Sequence, residues 1–140
     1  MALDLSRLLN PKSIALFGGS WVINVIAQLK KSGYTGDIWP VNLARAEMGG
    51  IPCHLSVDQL PGVPDASFIG VNRDATIKVV AALSAMGAGG ATCFASGFLE
   101  SESEGTGGAD LQAKLVEAAG DMPILGPNCY GLLNYLDNVT

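Results

Sequence analysis

The sequence predicts an α/β fold of Rossmann-like architecture, a parallel sheet with helices on both faces. Three observations carry that expectation. Short apolar runs alternate with segments of helical spacing along the whole chain, the pattern of right-handed βαβ crossovers. Two of the apolar runs break abruptly into glycine and small polar residues, S-I-A-L-F-G-G-S at 13–20 and I-L-G-P-N-C-Y-G at 124–131. Hydrophobic residues make up 49% of the 140 residues and charged ones only 15%. That suits one domain whose strands are covered on both faces.

The elements follow in order. Leu3, Leu5, Leu8 and Leu9 give an apolar side to a short opening helix that ends near Asn10-Pro11. Residues 13–17 form the first strand. Val22, Val25, Ile26 and Leu29 then share one helical face, with a stop at Ser32-Gly33. Residues 37–41 form the second strand, where Pro40 suggests an edge position or the strand end. Gly49-Gly50 opens a connector through Ile51 and Cys53, and residues 57–60 make one helical turn. Residues 65–71 form the third strand. Val79, Val80, Leu83, Met86 and Gly87 mark a helix with its stop. Residues 90–95 form the fourth strand, and residues 101–108 read as a surface loop. Leu111, Leu115 and Ala118 mark a last helix ending near Gly120, before a fifth strand over 123–125.

Composition excludes several classes. The formal net charge is −5, and no Lys/Arg stripe exists to displace counterions from nucleic acid. No apolar stretch is long enough to span a bilayer, and residues 1–12 lack a signal-peptide core. The three cysteines, Cys53, Cys93 and Cys129, lack metal-ligand spacing and read as reduced thiols of a cytoplasmic protein. An anionic ligand remains open, held by backbone N–H groups and a helix N-terminus.

The candidate site residues gather at strand ends, where open α/β sheets bind ligands. Gly18, Gly19 and Ser20 follow a strand and precede a helix, the position of a phosphate cradle or of a plain tight turn. The full G-x-G-x-x-G fingerprint is absent. Val41-Asn42 ends the second strand without the Asp or Glu that would hold NAD ribose hydroxyls. Arg45, three residues on, is either a solvated charge or a partner for a ribose phosphate. Val71-Asn72 and Ser96-Gly97 end the third and fourth strands. Asn72 is also a candidate N-cap for the helix starting near Ala75, with Asp74 competing for the same role. Asn128 and Cys129 sit in the last strand-end loop. Cys129 is either a reactive thiol or a small buried residue. His54, the one histidine, lies in a connector away from every strand end, with no acid at triad spacing. Glu100, Glu102 and Glu104 read as a solvated acidic edge.

These motifs carry a resemblance. P-K-S-I-A-L-F-G-G-S resembles the opening of the CoA-binding domain of NDP-forming acyl-CoA synthetases, the succinyl-CoA synthetase α-subunit superfamily, where the run typically reads P-x-S-I-A-V-V-G-A-S. The likeness continues at I-W-P-V-N (38–42), A-S-G-F (95–98) and G-P-N-C-Y-G (126–131). The resemblance implies an enzyme that makes an acyl-CoA from a carboxylic acid, CoA and ATP or GTP. An acyl phosphate forms first, and a phosphohistidine outside these residues relays the phosphoryl group. It implies that residues 1–140 are the N-terminal CoA-binding domain of a longer synthetase, inactive alone. The partners would be the phosphohistidine domain and an ATP-grasp module with Mg.

By the same resemblance Gly18, Gly19 and Ser20 would meet CoA phosphates and Val41 and Asn42 would border the nucleotide. Val71, Asn72, Ser96 and Gly97 would line the site, with Asn128 and Cys129 towards the pantetheine end. Asn72 stands where the family has proline, Leu43 replaces another proline, and the basic residue arrives at Arg45, one place later than usual. Two other classes compete: a stand-alone CoA-binding module without catalysis, and an NADP-dependent oxidoreductase domain. The missing fingerprint disfavours the latter, as does the lack of a lysine near Tyr130 or Tyr135.

Overall fold

A computed structural model of the chain describes residues 2–105 and 107–140. Its elements, in order, are α1 (Ser6–Leu9), β1 (Ser13–Gly18), α2 (Ser20–Ser32), β2 (Asp37–Val41), β3 (Glu47–Met48), β4 (Ile51–Pro52), β5 (Ala66–Gly70), α3 (Arg73–Ala85), β6 (Ala91–Cys93), α4 (Gly108–Ala119) and β7 (Ile124–Leu125). Single 3-10 turns lie at Val57–Gln59 and Leu99–Glu104. Five strands form one parallel sheet in the order β2-β1-β5-β6-β7.

Alternation along the strands explains the layers. Ala15, Phe17, Ile69, Ala91 and Cys93 face one side, where Val80 and Leu83 of α3 and Leu115 and Ala119 of α4 cover them. Ile14, Leu16, Ala66 and Phe68 face the other side and meet Leu8, Val22, Ile26 and Leu29 from α1 and α2. Strands buried on both faces favour apolar residues on each face; Ser13, Ser67 and Thr92 are the buried small polar residues among them. The opening helix is a single turn, so of its four leucine candidates only Leu8 is buried; Leu3, Leu5 and Leu9 are exposed. No helix among the described residues is long and apolar enough to cross a membrane.

The chain runs from β1 outward to the edge strand β2, then returns across to β5. That reversal places a switch point between the carboxyl ends of β1 and β5, where ligands enter open α/β sheets. The two ends pack tightly. Gly18 pairs with Gly70 and has φ +139°, and a Cβ there would lie 2.6 Å from the Gly70 carbonyl oxygen. Only glycine fits.

Three stretches differ from the sequence expectation. The connector after β2 contains an antiparallel hairpin, β3 with β4, turned by Gly49 and Gly50 at φ +57° and +81°. Positive φ at both turn residues is what a two-residue hairpin loop demands. Beyond it, the His54 N–H donates to the Pro40 carbonyl at 2.8 Å, and the His54 carbonyl accepts from the Asn42 N–H at 3.0 Å. His54 therefore flanks the end of β2, contrary to its placement away from every strand end. This backbone strip also covers the edge that Pro40 marks. Part of the loop expected over 101–108 is the 3-10 turn Leu99–Glu104, anchored by fully buried Phe98; Thr106 lies outside the described residues.

Residues 132–140 fold back over the α1/α2 side. Val139 is buried there. The Asn134 amide donates to the Leu9 carbonyl at 2.7 Å and the Thr140 hydroxyl to the Gln28 carbonyl at 3.2 Å.

Candidate ligand cleft at the carboxyl edge

The first loop leads directly from β1 into α2. Gly19 is the N-cap position, and no side chain caps the helix there. First-turn amides of a helix lack the usual i−4 partner; in α2 the Val22 N–H turns back to the Gly19 carbonyl at 3.0 Å, which leaves the Ser20 and Trp21 amides at the edge with the positive end of the helix dipole. A Cβ on Gly19 would meet nothing within 4 Å. Its φ of −104° is outside the left-handed region, and the space beside it is open. Ser20 is exposed.

At the end of β2 the predicted residues are largely committed elsewhere. Val41 is buried in the core. The Asn42 side-chain amide donates to the Gly18 carbonyl at 2.8 Å, while its Oδ1 accepts from the Ala44 and Arg45 N–H groups at 2.8 and 3.0 Å. Asn42 therefore ties the β2 end to the first loop and shapes the turn that follows. Arg45 is exposed and makes no salt bridge among the described residues.

The ends of β5, β6 and β7 open a cleft of about 680 Å³. Val71, Asn72, Ser96, Asn128 and Cys129 line it; Gly18, Gly19, Ser20, Val41, Asn42, Arg45 and Gly97 do not. The Asn72 Oδ1 caps α3 by accepting from the Ala75 N–H at 2.9 Å, and Asp74 does not take that role. Ser96 and Asn128 are exposed, and Cys129 is half-buried. The Asn128 and Cys129 N–H groups donate to the Ala95 and Cys93 carbonyls at 2.9 and 3.1 Å, which fixes the last loop on the end of β6. Cys93, directly behind, has its thiol pushed up to about 12, by burial first and the neighbouring Cys129 second. It is inert.

Of the lining residues that escaped the sequence reading, Arg73, Phe94 and Tyr130 shape the cleft most. Arg73 follows Asn72 at the same strand end, and its Nη1 donates to the Gly97 carbonyl at 3.0 Å. Phe94, expected inside the fourth strand, lies half-buried just past it. Its ring sits 5.0 Å from Trp21 and 5.5 Å from Tyr130. Phe94 and Tyr130 form a wall between the cleft and an apolar groove of about 560 Å³ on the α2 side, floored by Leu16 and Phe68. The signal was present: Tyr130 belongs to the quoted G-P-N-C-Y-G, and Arg73 to the strand end V-N-R.

Glu100 is exposed, as expected of a solvated edge, and is also bonded to backbone. Its carboxylate accepts from the Gly97 N–H at 2.7 Å and the Phe98 N–H at 3.3 Å. Burial raises this carboxyl, but backbone N–H groups of Glu100, Phe98 and Gly97 outweigh it and hold it below the usual range. The Glu102 and Glu104 side chains lie outside the described residues. Among the described residues no cluster of His, Cys, Asp and Glu is arranged to hold a metal, and all three cysteines are free thiols.

Fold and cleft together define a Rossmann-like domain with an open cleft at the carboxyl edge of its sheet, beside the switch point. Sequence comparison makes this specific: the chain belongs to the CoA binding domain family, matched over residues 12–135. It is 33% identical to a trans-feruloyl-CoA synthase of an unknown prokaryotic organism, over 97% of this chain and 20% of that protein. It is 33% identical to the ADP-forming acetate–CoA ligase II of Archaeoglobus fulgidus, over 94% of this chain and 20% of that protein. Its structure resembles that of the dinucleotide-forming acetyl-coenzyme A synthetase 1 of Ca. Korarchaeum cryptofilum, with a TM-score of 0.86 and 29% identity, over 97% of this chain and 30% of that one. The chain thus spans about a fifth of the curated relatives it matches.

Proposed function

We propose that this chain is the CoA-binding domain of an NDP-forming acid–CoA ligase, which makes an acyl-CoA from a carboxylate, CoA and ATP or GTP. The acyl phosphate, the phosphohistidine, the ATP-grasp module and its Mg belong to parts of that enzyme outside these residues. The observation that carries the reading is the family match over 12–135 falling on a fold whose switch-point edge is open. There, the uncapped amides of α2 offer a phosphate cradle, while Asn72, Ser96, Asn128 and Cys129 present small polar groups along the neighbouring cleft. A long ligand with phosphates at one end and a flexible polar arm at the other suits that division.

In this reading Gly18, Gly19 and Ser20 receive phosphate, Asn42 holds the first loop in shape, and Val71, Asn72, Ser96 and Gly97 border the arm. Asn128 and Cys129 face its far end, and Arg45 stands where the nucleotide emerges. Calorimetry with CoA, with NADPH alongside, tests it together with a ligase assay over a panel of acids. Heat with CoA, weaker or no heat with NADPH, and no turnover are expected. Turnover by these residues alone, or no heat with CoA at millimolar levels, overturns it.

A further inference from the structure

The cleft contains one guanidinium whose position ordinary structural roles do not explain. Arg73 is the first residue of α3. A cation at a helix N-terminus is on the wrong end of the dipole, so the helix itself gains nothing from it. Its side chain is nevertheless held in place. Nη1 donates to the Gly97 carbonyl at 3.0 Å. The stem lies so close to that residue that a Cβ on Gly97, already at φ +94°, would sit 3.0 Å from Arg73 Cδ. Arg73 is half-buried and lines the cleft.

No carboxylate neutralises it among the described residues. Asp74 is adjacent in sequence but forms no salt bridge with it. The Glu100 carboxylate, which also reaches Gly97, is held by the Gly97 and Phe98 amides. In a chain of net charge −5, an unpaired arginine kept in a fixed pose at the mouth of a cleft has surplus donors. Nε and Nη2 have no partner among the described residues. Guanidinium donors in that planar fork match a phosphoryl oxyanion through parallel hydrogen bonds.

We propose that Arg73 is the oxyanion-recognising side chain of this cleft, taking a phosphoryl group of the bound ligand while Nη1 stays on Gly97. The proposal rests on the reading that the cleft takes CoA. It places at Arg73 the phosphate recognition that the sequence suggested for Arg45, which the structure leaves outside the cleft.

The test measures dissociation constants for CoA, dephospho-CoA, pantetheine and inorganic pyrophosphate on the wild type, Arg73→Gln and Arg73→Lys. Glutamine removes the charge and keeps an amide donor, and pantetheine reports any loss that comes only from a displaced Gly97 loop. Lysine keeps the charge but loses the fork. The expected result is a loss of about tenfold for CoA in Arg73→Gln, a smaller loss in Arg73→Lys, and none for pantetheine, which has no phosphate. A matching loss for dephospho-CoA places the contact on the diphosphate; an unchanged value places it on the 3′-phosphate. Wild-type affinity for CoA in Arg73→Gln, or equal losses for CoA and pantetheine, overturns the proposal. If the wild type takes pyrophosphate but not CoA, and Arg73→Gln takes neither, the CoA reading fails and the role of Arg73 stands. If the wild type takes neither ligand, both fail.

Discussion

The two halves of the carboxyl edge are built from the same parts and use them differently. On the β1–β2 half, polar side chains turn inward: Asn42 spends its amide on the Gly18 carbonyl and on two backbone N–H groups of the following turn. What remains for a ligand is backbone, the uncapped first turn of α2. On the β5–β7 half the loops stand apart and leave a cleft of about 680 Å³. There α3 is capped by Asn72, so the ligand-facing groups are side chains such as Arg73, Ser96 and Asn128. One half offers a rigid cradle and the other a walled trough. Backbone donors on a tightly packed turn suit phosphate, whereas spaced polar side chains suit a longer arm, with the Arg73 guanidinium as a charged exception among them.

The sharpest contrast inside the β1–β2 half lies between two adjacent glycines. Gly18→Ala puts a Cβ 2.6 Å from the Gly70 carbonyl oxygen at a backbone angle of φ +139°. It should destabilise the fold by about 3 kcal/mol, combining backbone strain with a steric clash in a packed sheet. Denaturant unfolding measures this. Gly19→Ala, with no neighbour within 4 Å, meets no clash and should cost clearly less than Gly18→Ala. Equal effects from both would remove the distinction drawn between the structural and the open glycine.

The opposite edge of the sheet supplies the baseline of pure stability. Asp65 accepts from Arg7 Nε at 2.7 Å and the Lys12 N–H at 2.8 Å. Burial raises its carboxyl, but the bonds from Arg7 and from the Lys12 and Ser13 backbones outweigh that and hold it below the usual range. A lowered folded value means that the unfolded chain takes up the proton first. The contribution is fully present above about pH 4 and is lost as pH falls through the lower folded value. Asp65→Asn should cost about 2 kcal/mol at neutral pH and leave CoA binding unchanged. Its stability deficit should shrink on acidification. A deficit independent of pH would assign the loss to packing.

Gly19→Val carries the comparison into binding. The side chain enters open space at the α2 N-terminus, so the fold should persist while CoA affinity drops more than tenfold, or about 1.4 kcal/mol. A titration on the variant checks it, and normal affinity in a folded variant would remove the phosphate from this loop. A smaller effect is expected at Asn72→Ala. Loss of the cap on α3 should cost about 1 kcal/mol of stability, read from the shift in melting temperature. A larger loss in CoA binding than in stability would give Asn72 a ligand contact beyond its cap.

Much of this architecture was legible because burial on both faces favours apolar runs, and glycine marks where they end. The helix stop at Gly33 and the edge position of Pro40 were readable for that reason. The hairpin at Glu47–Pro52 was not, because its strands are two residues each and leave no periodicity to detect. Within the site, the strand-end residues could be located, but not which of them were already bonded. Asn42 and Asn72 look alike in sequence; one braces a loop and the other caps a helix. Arg73 and Arg45 are also alike in sequence, and only the fold sets one in the cleft and the other outside it.

Mapping backbone amide shifts on titration with CoA tests the central claim most directly, because each loop reports for itself. Shifts should concentrate on 18–20, 71–73, 96–97 and 128–129, joining both halves of the edge in one footprint, with NADPH producing weaker changes. A footprint confined to the apolar groove around Leu16, Phe68 and Leu132, or no shift at millimolar CoA, would contradict it.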